Sequence, residues 1–271
     1  MLISVRHVTS YRYADPVRYT IQCLRLTPVP FKGQRILSWE VKAPGDGPPL
    51  RFTDGFGNTV HVVTINAPHT EVVIEAAGIL ETEDNNGVVA GISNPVAPRV
   101  FLRETPQTRP DPAIIELAWS SKREDMLESL HELSRQVRDR VEYVPGITDV
   151  HTEAAAALAD GKGVCQDHAH IFIAACRSLG VPARYVTGYL YLGEEQGSEA
   201  HHAWAEAWVD GLGWLGFDVA NRICPTESYV RLAAGLDAGY AAPIKGSRRG
   251  GDGESLDVAV SVQQQQGNAQ Q

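Results

Sequence analysis

Along the first hundred residues, apolar positions fall two apart or in short β-branched runs. Ile3–Val8, Tyr19–Leu26, Ile36–Val41, Val60–Ile65 and Glu71–Ala76 each predict a strand. Turn-forming clusters separate them: Pro28-Val-Pro30, the stretch from Pro44 to Pro49, and Asp54-Gly-Phe-Gly-Asn58. No helical period of useful length interrupts this pattern. Residues 1–105 therefore predict a β-rich N-terminal module of sandwich- or barrel-like form. Pro106, Pro110 and Pro112 mark residues 106–112 as a linker.

From 113 the spacing changes. Ala113–Trp119 is a short amphipathic stretch. Met126, Leu127, Leu130, Leu133, Val137 and Val141 then recur at three- and four-residue steps, with Ser120 or Ser121 as the expected cap. Thr152 is the expected cap of a helix through Ala159, broken at Gly161-Lys-Gly163. The next helix runs from Cys165 to Leu179, with Gly180 and Pro182 ending it. Ala183–Leu192, Ala203–Val209 and Trp214–Val219 read as strands. Helices followed by strands make 113–245 an α+β domain. In 246–271, Ser255–Val262 alternates like a final strand that returns to one of the two units. The glutamines at 263–266, 270 and 271 predict a disordered tail.

Composition narrows the function classes. Of 271 residues, 43% are hydrophobic and 21% charged, with a formal net charge of −9. An acidic chain without clustered Lys and Arg is a poor partner for nucleic acid. No apolar run approaches the roughly 18 residues of a membrane span, so no membrane partner is expected. The N-terminus lacks a basic segment followed by an apolar one, which makes the cytoplasm the expected compartment. Cys23, Cys165, Cys176 and Cys224 are widely spread with no CxxC pair, so neither a disulfide scaffold nor a structural zinc site is indicated. Oligomeric state is not legible in the chain.

One thiol has a chemical context. A glycine-rich loop delivers Cys165 to the start of an apolar helix, where free N–H groups favour thiolate over thiol and stand ready to bind an oxyanion. Cys176, inside an apolar run, reads as an inert buried thiol. A cysteine nucleophile needs an imidazole to move protons, and a carboxylate to orient that imidazole. The strands at 203–209 and 214–219, joined across Asp210-Gly-Leu-Gly213, predict a hairpin in which His202 and Asp218 are cross-strand neighbours. Alternation then turns His201 to the other face. Asp167 suits the first helical turn. His168, three residues after Cys165, shares its helical face and is a pocket candidate, as are Tyr189 and Trp204, the last equally a core or cleft-wall residue. A zinc site from Cys165, His168, His170, His201 and His202 is the rival reading, against which the ligand spacing speaks.

Gly163-Val-Cys165, His202-Ala-Trp204 and Gly213-Trp-Leu-Gly-Phe-Asp218, with His 37 residues after Cys and Asp 16 further on, resemble the transglutaminase-like superfamily of papain-type thiol enzymes. Cys165-Gln-Asp-His-Ala-His170 and Arg184-Tyr-Val-Thr-Gly-Tyr189 resemble its bacterial branch, and the β-rich first 105 residues are similar to the N-terminal region that accompanies it. The resemblance implies a papain-like core with the nucleophile at a helix N-terminus packed on an antiparallel sheet. It also implies a Cys165–His202–Asp218 triad that acts on a peptide or carboxamide bond of a protein or peptide substrate through a thioester. Such chemistry requires no cofactor. Water as acceptor makes a cysteine protease or amidase, the favoured expectation; an amine makes a cross-linking transglutaminase. A non-catalytic protein-binding module is the third alternative.

Overall fold

The computed structural model describes residues 1–93, 95–193 and 201–265. Strand β1 (Leu2–Thr27) organises the first sheet. The sequence reading gives two strands here, Ile3–Val8 and Tyr19–Leu26, whereas the chain runs through as one. Register shifts between Arg12 and Val17 and between Val17 and Tyr19 absorb Pro16, which cannot donate to a ladder. With β2 (Gln34–Lys42), β3 (Leu50–Thr53), β4 (Thr59–Ile65) and β5 (His69–Thr82), β1 forms an antiparallel sheet in the order β2-β5-β1-β4-β3. Its inward residues, among them Ile3, Val5, Leu24, Leu26, Ile74 and Leu80, form the core of this half.

The second half is built on helix α4. Strand β6 (Val88–Val89) leads through two 3-10 turns, Pro98–Leu102 and Pro106–Thr108, to α1 (Pro112–Ser120) and α2 (Met126–Arg140). Asp111 and Asp125 cap these helices by accepting from Ile114 N at 2.8 Å and Glu128 N at 3.0 Å. The expected serine caps are thus displaced: Ser120 ends α1 and Ser121 follows it. Next come β7 (Glu142–Tyr143), α3 (Ala154–Asp160), β8 (Lys162–Gly163) and α4 (Cys165–Ser178). Glu153 precedes α3, while the Thr152 hydroxyl accepts from Asp149 N instead of capping the helix. Helix α4 is buried between α1, α2 and α3 and a sheet ordered β12-β9-β10-β11-β6. The further members of that sheet are β9 (Ala183–Leu190), β10 (His201–Val209), β11 (Gly213–Phe217) and β12 (Tyr229–Gly235). After the short α5 (Ala238–Ala241), β13 (Ile244–Gly250) and β14 (Glu254–Gln264) return to pair with β1.

Two features differ from the sequence reading. Residues 106–112 are docked, not a free tether. The guanidinium of Arg177 on α4 donates to Phe101 O, Thr108 Oγ1, Ala183 O and Leu236 O at 2.8, 2.5, 2.9 and 2.7 Å. The segment 244–264 completes the N-terminal sheet, so Gln263 and Gln264 are strand residues paired to Ser4 and Ile3. The expected tail positions 266–271 lie outside the described residues. The mixed, strand-rich α+β architecture is as expected, with 46% strand and 22% helix among the described residues. Among the described residues, no helix is long and apolar enough to cross a membrane.

Candidate active site

The loop before α4 is held by Asp167. Its Oδ2 accepts from Val164 N at 2.8 Å and from the Thr148 hydroxyl at 2.6 Å. A Cβ on Gly163 would sit 2.7 Å from the Asp167 Cβ, so only glycine fits there. The clip sets Val164 as the extended N-cap residue and Cys165 as the first residue of α4, half-buried. The thiol thus lies where the unpaired N–H groups of the first turn converge.

His202 enters from β10. Its Nε2 lies 2.6 Å from Asp218 Oδ2, and Cys165 lies within hydrogen-bonding reach of the ring, which leaves Nδ1 for the thiol. Burial disfavours the charged ring, but the Asp218 carboxylate and the Cys165 sulfur outweigh it and hold the imidazole at a pKa of about 10. Asp218 is fully buried. Burial alone would raise its pKa; the bonds to His202, Tyr229 and Asn221 reverse the sign and hold the carboxyl below its ordinary value. The hairpin register differs from the expected one by two residues. Ala205 faces Phe217 and Trp208 faces Trp214, so His202 and Asp218 are diagonal neighbours instead of direct partners. Side chains alternate with period two, so an offset of two leaves both on the same face.

The structure therefore brings Cys165, His202 and Asp218 together, and it distributes the other candidates elsewhere. His168 is fully buried beneath the start of α4, its Nδ1 2.8 Å from Val164 O and its Nε2 3.0 Å from Val141 O. It ties the helix entrance to the chain before β7 and does not line a cleft. Tyr189 is also fully buried and bonds through its hydroxyl to His7 Nδ1 on β1 at 2.9 Å. It joins the two halves of the molecule, because its face of β9 turns toward the first sheet. Trp204 lies behind the imidazole, its ring stacked on His202 at 6.4 Å. His201 turns to the opposite face and bonds Thr187 Oγ1 at 2.9 Å. The proposed zinc ligands do not converge, since His168 is engaged as above and His170 Nε2 accepts from Ala238 N at 3.1 Å. Cys176 is fully buried, and burial pushes its thiol far up.

Two residues in the assembly were not singled out from sequence. Tyr229 donates its hydroxyl to Asp218 Oδ2 at 2.6 Å; Asn221 donates Nδ2 to the same oxygen at 2.7 Å and its backbone N–H to Oδ1 at 3.2 Å. Asn221 lies three residues after Asp218, a turn spacing that a local reading can find. Tyr229 arrives from β12, and nothing near Asp218 in sequence announces it. Beside the first turn of α4 runs a groove of about 800 Å³ walled by Gln166, Tyr185, Thr187, His201, Asp237 and Tyr240.

Comparison with known proteins follows the same division. The family described as the transglutaminase-like superfamily matches residues 117–219, and the bacterial transglutaminase-like N-terminal region matches residues 3–81. An uncharacterised protein of Mycobacterium leprae is 31% identical over 273 residues, 95% of this chain and 97% of its own length. One from Mycobacterium tuberculosis is 28% identical over 296 residues, covering 98% and 93%. The crystal structure of a protein from Cytophaga hutchinsonii, described as a candidate cysteine protease, superposes with a TM-score of 0.77 at 24% identity, covering 97% of this chain and 90% of that one. At that identity the likeness concerns the fold.

Proposed function

This chain belongs to the transglutaminase-like superfamily, and from that premise we propose that it is a thiol-dependent hydrolase of a peptide or carboxamide bond in a protein or peptide substrate. The observation that carries the reading is the 2.6 Å contact between His202 Nε2 and a buried Asp218, with Cys165 beside the same ring at a helix N-terminus.

In this reading His202 takes the Cys165 proton, giving a thiolate and an imidazolium. The thiolate attacks the carbonyl carbon, and the Cys165 backbone N–H contributes to the oxyanion site. The C–N bond breaks as His202 passes its proton to the departing nitrogen, which leaves a thioester and a neutral imidazole. His202 then takes a proton from water. The new C–O bond forms, the C–S bond breaks, and the thiolate–imidazolium pair returns. Asp218 fixes the tautomer and steadies the charged ring throughout. Water is the acceptor in this reading; an amine in its place would turn the same thioester chemistry into cross-linking transfer.

The test is mass spectrometry of a glutamine-containing peptide mixture in ¹⁸O-water, with and without n-pentylamine, using wild type and Cys165→Ala. Cysteine-dependent ¹⁸O incorporation is expected. Products that form only with the amine would overturn the hydrolase assignment. Equal product with both proteins would overturn the thiol mechanism.

A further inference from the structure

The chemistry above has no part for Tyr229, although its hydroxyl is as close to Asp218 as the imidazole is. Asp218 Oδ2 accepts from His202, Tyr229 and Asn221 at 2.6, 2.6 and 2.7 Å. The Tyr229 contact is built across a strand. In the order β12-β9-β10, Gly188 of β9 lies between the tyrosine's strand and the histidine's, paired to His202 on one side and Arg231 on the other. A Cβ on Gly188 would meet Trp204 Cη2 at 2.7 Å. The missing side chain lets the Trp204 ring lie over β9, stacked on His202 at 6.4 Å and edge-on to Tyr229 at 5.5 Å. Burial first, then the Asp218 charge, keeps the phenol protonated and hence a donor.

The charges around this carboxylate are few. His202 on β10 and Tyr229 on β12 are the titratable groups bonded to it, while Cys165 on α4 acts on His202 and Cys224, before β12, acts on Tyr229. The buried acid Glu206 is satisfied by Arg184 and Arg231 at 2.5 and 2.7 Å. When His202 gives its proton to a leaving group, Asp218 loses its cationic partner while fully buried. An anion in that position is stable only with donors on its oxygens. Donors on the carboxylate also loosen its hold on the imidazolium proton, because they share the same lone pairs.

We propose that Tyr229 is a positioning residue for the acid step: by sharing Asp218 Oδ2 with His202, it keeps the carboxylate anionic as the imidazolium surrenders its proton to the leaving group. The proposal rests on the thiol-hydrolase reading. It predicts an effect that depends on whether the leaving group needs that proton.

The experiment follows acylation of Cys165 in the full chain by 4-nitrophenyl acetate and by phenyl acetate, detected by intact-protein mass. In both reactions the C–S bond forms and the aryl C–O bond breaks. Nitrophenolate departs unprotonated, whereas the more basic phenolate takes the His202 proton. Tyr229→Phe, which retains the ring beside Trp204, should react with the nitrophenyl ester within about twofold of wild type and with phenyl acetate about tenfold more slowly. Equal slowing with both esters, or slowing with neither, would overturn the proposal. If Tyr229→Phe does not fold, Asn221→Ala at an exposed position removes another donor from the same oxygen; it should shift the ratio in the same direction, and an unchanged ratio overturns the idea. If wild type is acylated by neither ester, the thiol-hydrolase reading itself fails, and this inference with it.

Discussion

At the scale of single residues, the thiol and the imidazole carry distinct consequences. Cys165→Ala should abolish turnover and leave the thermal midpoint nearly unchanged, since a half-buried thiol contributes little packing. Asp218→Asn should lower kcat about ten-thousandfold through loss of tautomer control, with the fold intact by circular dichroism. Iodoacetamide labelling read by peptide mass should modify Cys165 faster than Cys23 or Cys224 and slow in His202→Ala, while Cys176 stays unlabelled in its fully buried site. The His202 pKa also has a sign. It rises on folding from 6.5 to about 10. A group raised on folding contributes fully below its unfolded value, and that contribution fades as pH climbs through the folded one. The stability difference between wild type and His202→Ala, measured by urea titration, should be flat at pH values below 6.5 and shrink between there and about 10.

At the scale of elements, α4 is a buried rod fixed at both ends. Asp167 clips its entrance, and Arg177 in its last turn binds the two 3-10 turns and the chain around β9 and β12. A buried guanidinium satisfied by four partners is worth more than a surface pair. Arg177→Leu removes the donor shared by three carbonyls and the Thr108 hydroxyl, and should lower unfolding free energy by about 3 kcal/mol, measured by urea denaturation. The helix itself was readable from its apolar run and terminal glycine. Its docking was not, because a proline-rich stretch has the same local signature whether tethered or free. The hairpin carrying His202 and Asp218 was readable to the correct face. Its register was off by two, since the turn closes on Val209 and Gly213 as the last pair of the ladder.

At the scale of the whole molecule, the two halves are interleaved. Strands β13 and β14, from the end of the described chain, flank β1 from its beginning, and Tyr189 bonds to His7 across the junction. The N-terminal sheet is therefore complete only when residues 244–264 have arrived. A chain truncated after Pro243 leaves one side of β1 unpaired and should be recovered as aggregate, assessed by sedimentation after expression. A soluble, monomeric truncated chain would show that β13 and β14 are dispensable.

Periodicity, glycine placement and the order Cys, His, Asp determined the fold class, the helix that presents Cys165, and the face shared by His202 and Asp218. Each is a local consequence of side-chain spacing, with period two or 3.6, or of a backbone position that only glycine fits. Tertiary structure alone decided that Tyr229 reaches Asp218, that His168 and Tyr189 are structural ties, and that the last strands complete the first sheet. Those contacts join residues from separate elements, and their partners are set by how sheets and helices pack, which no spacing within one segment encodes.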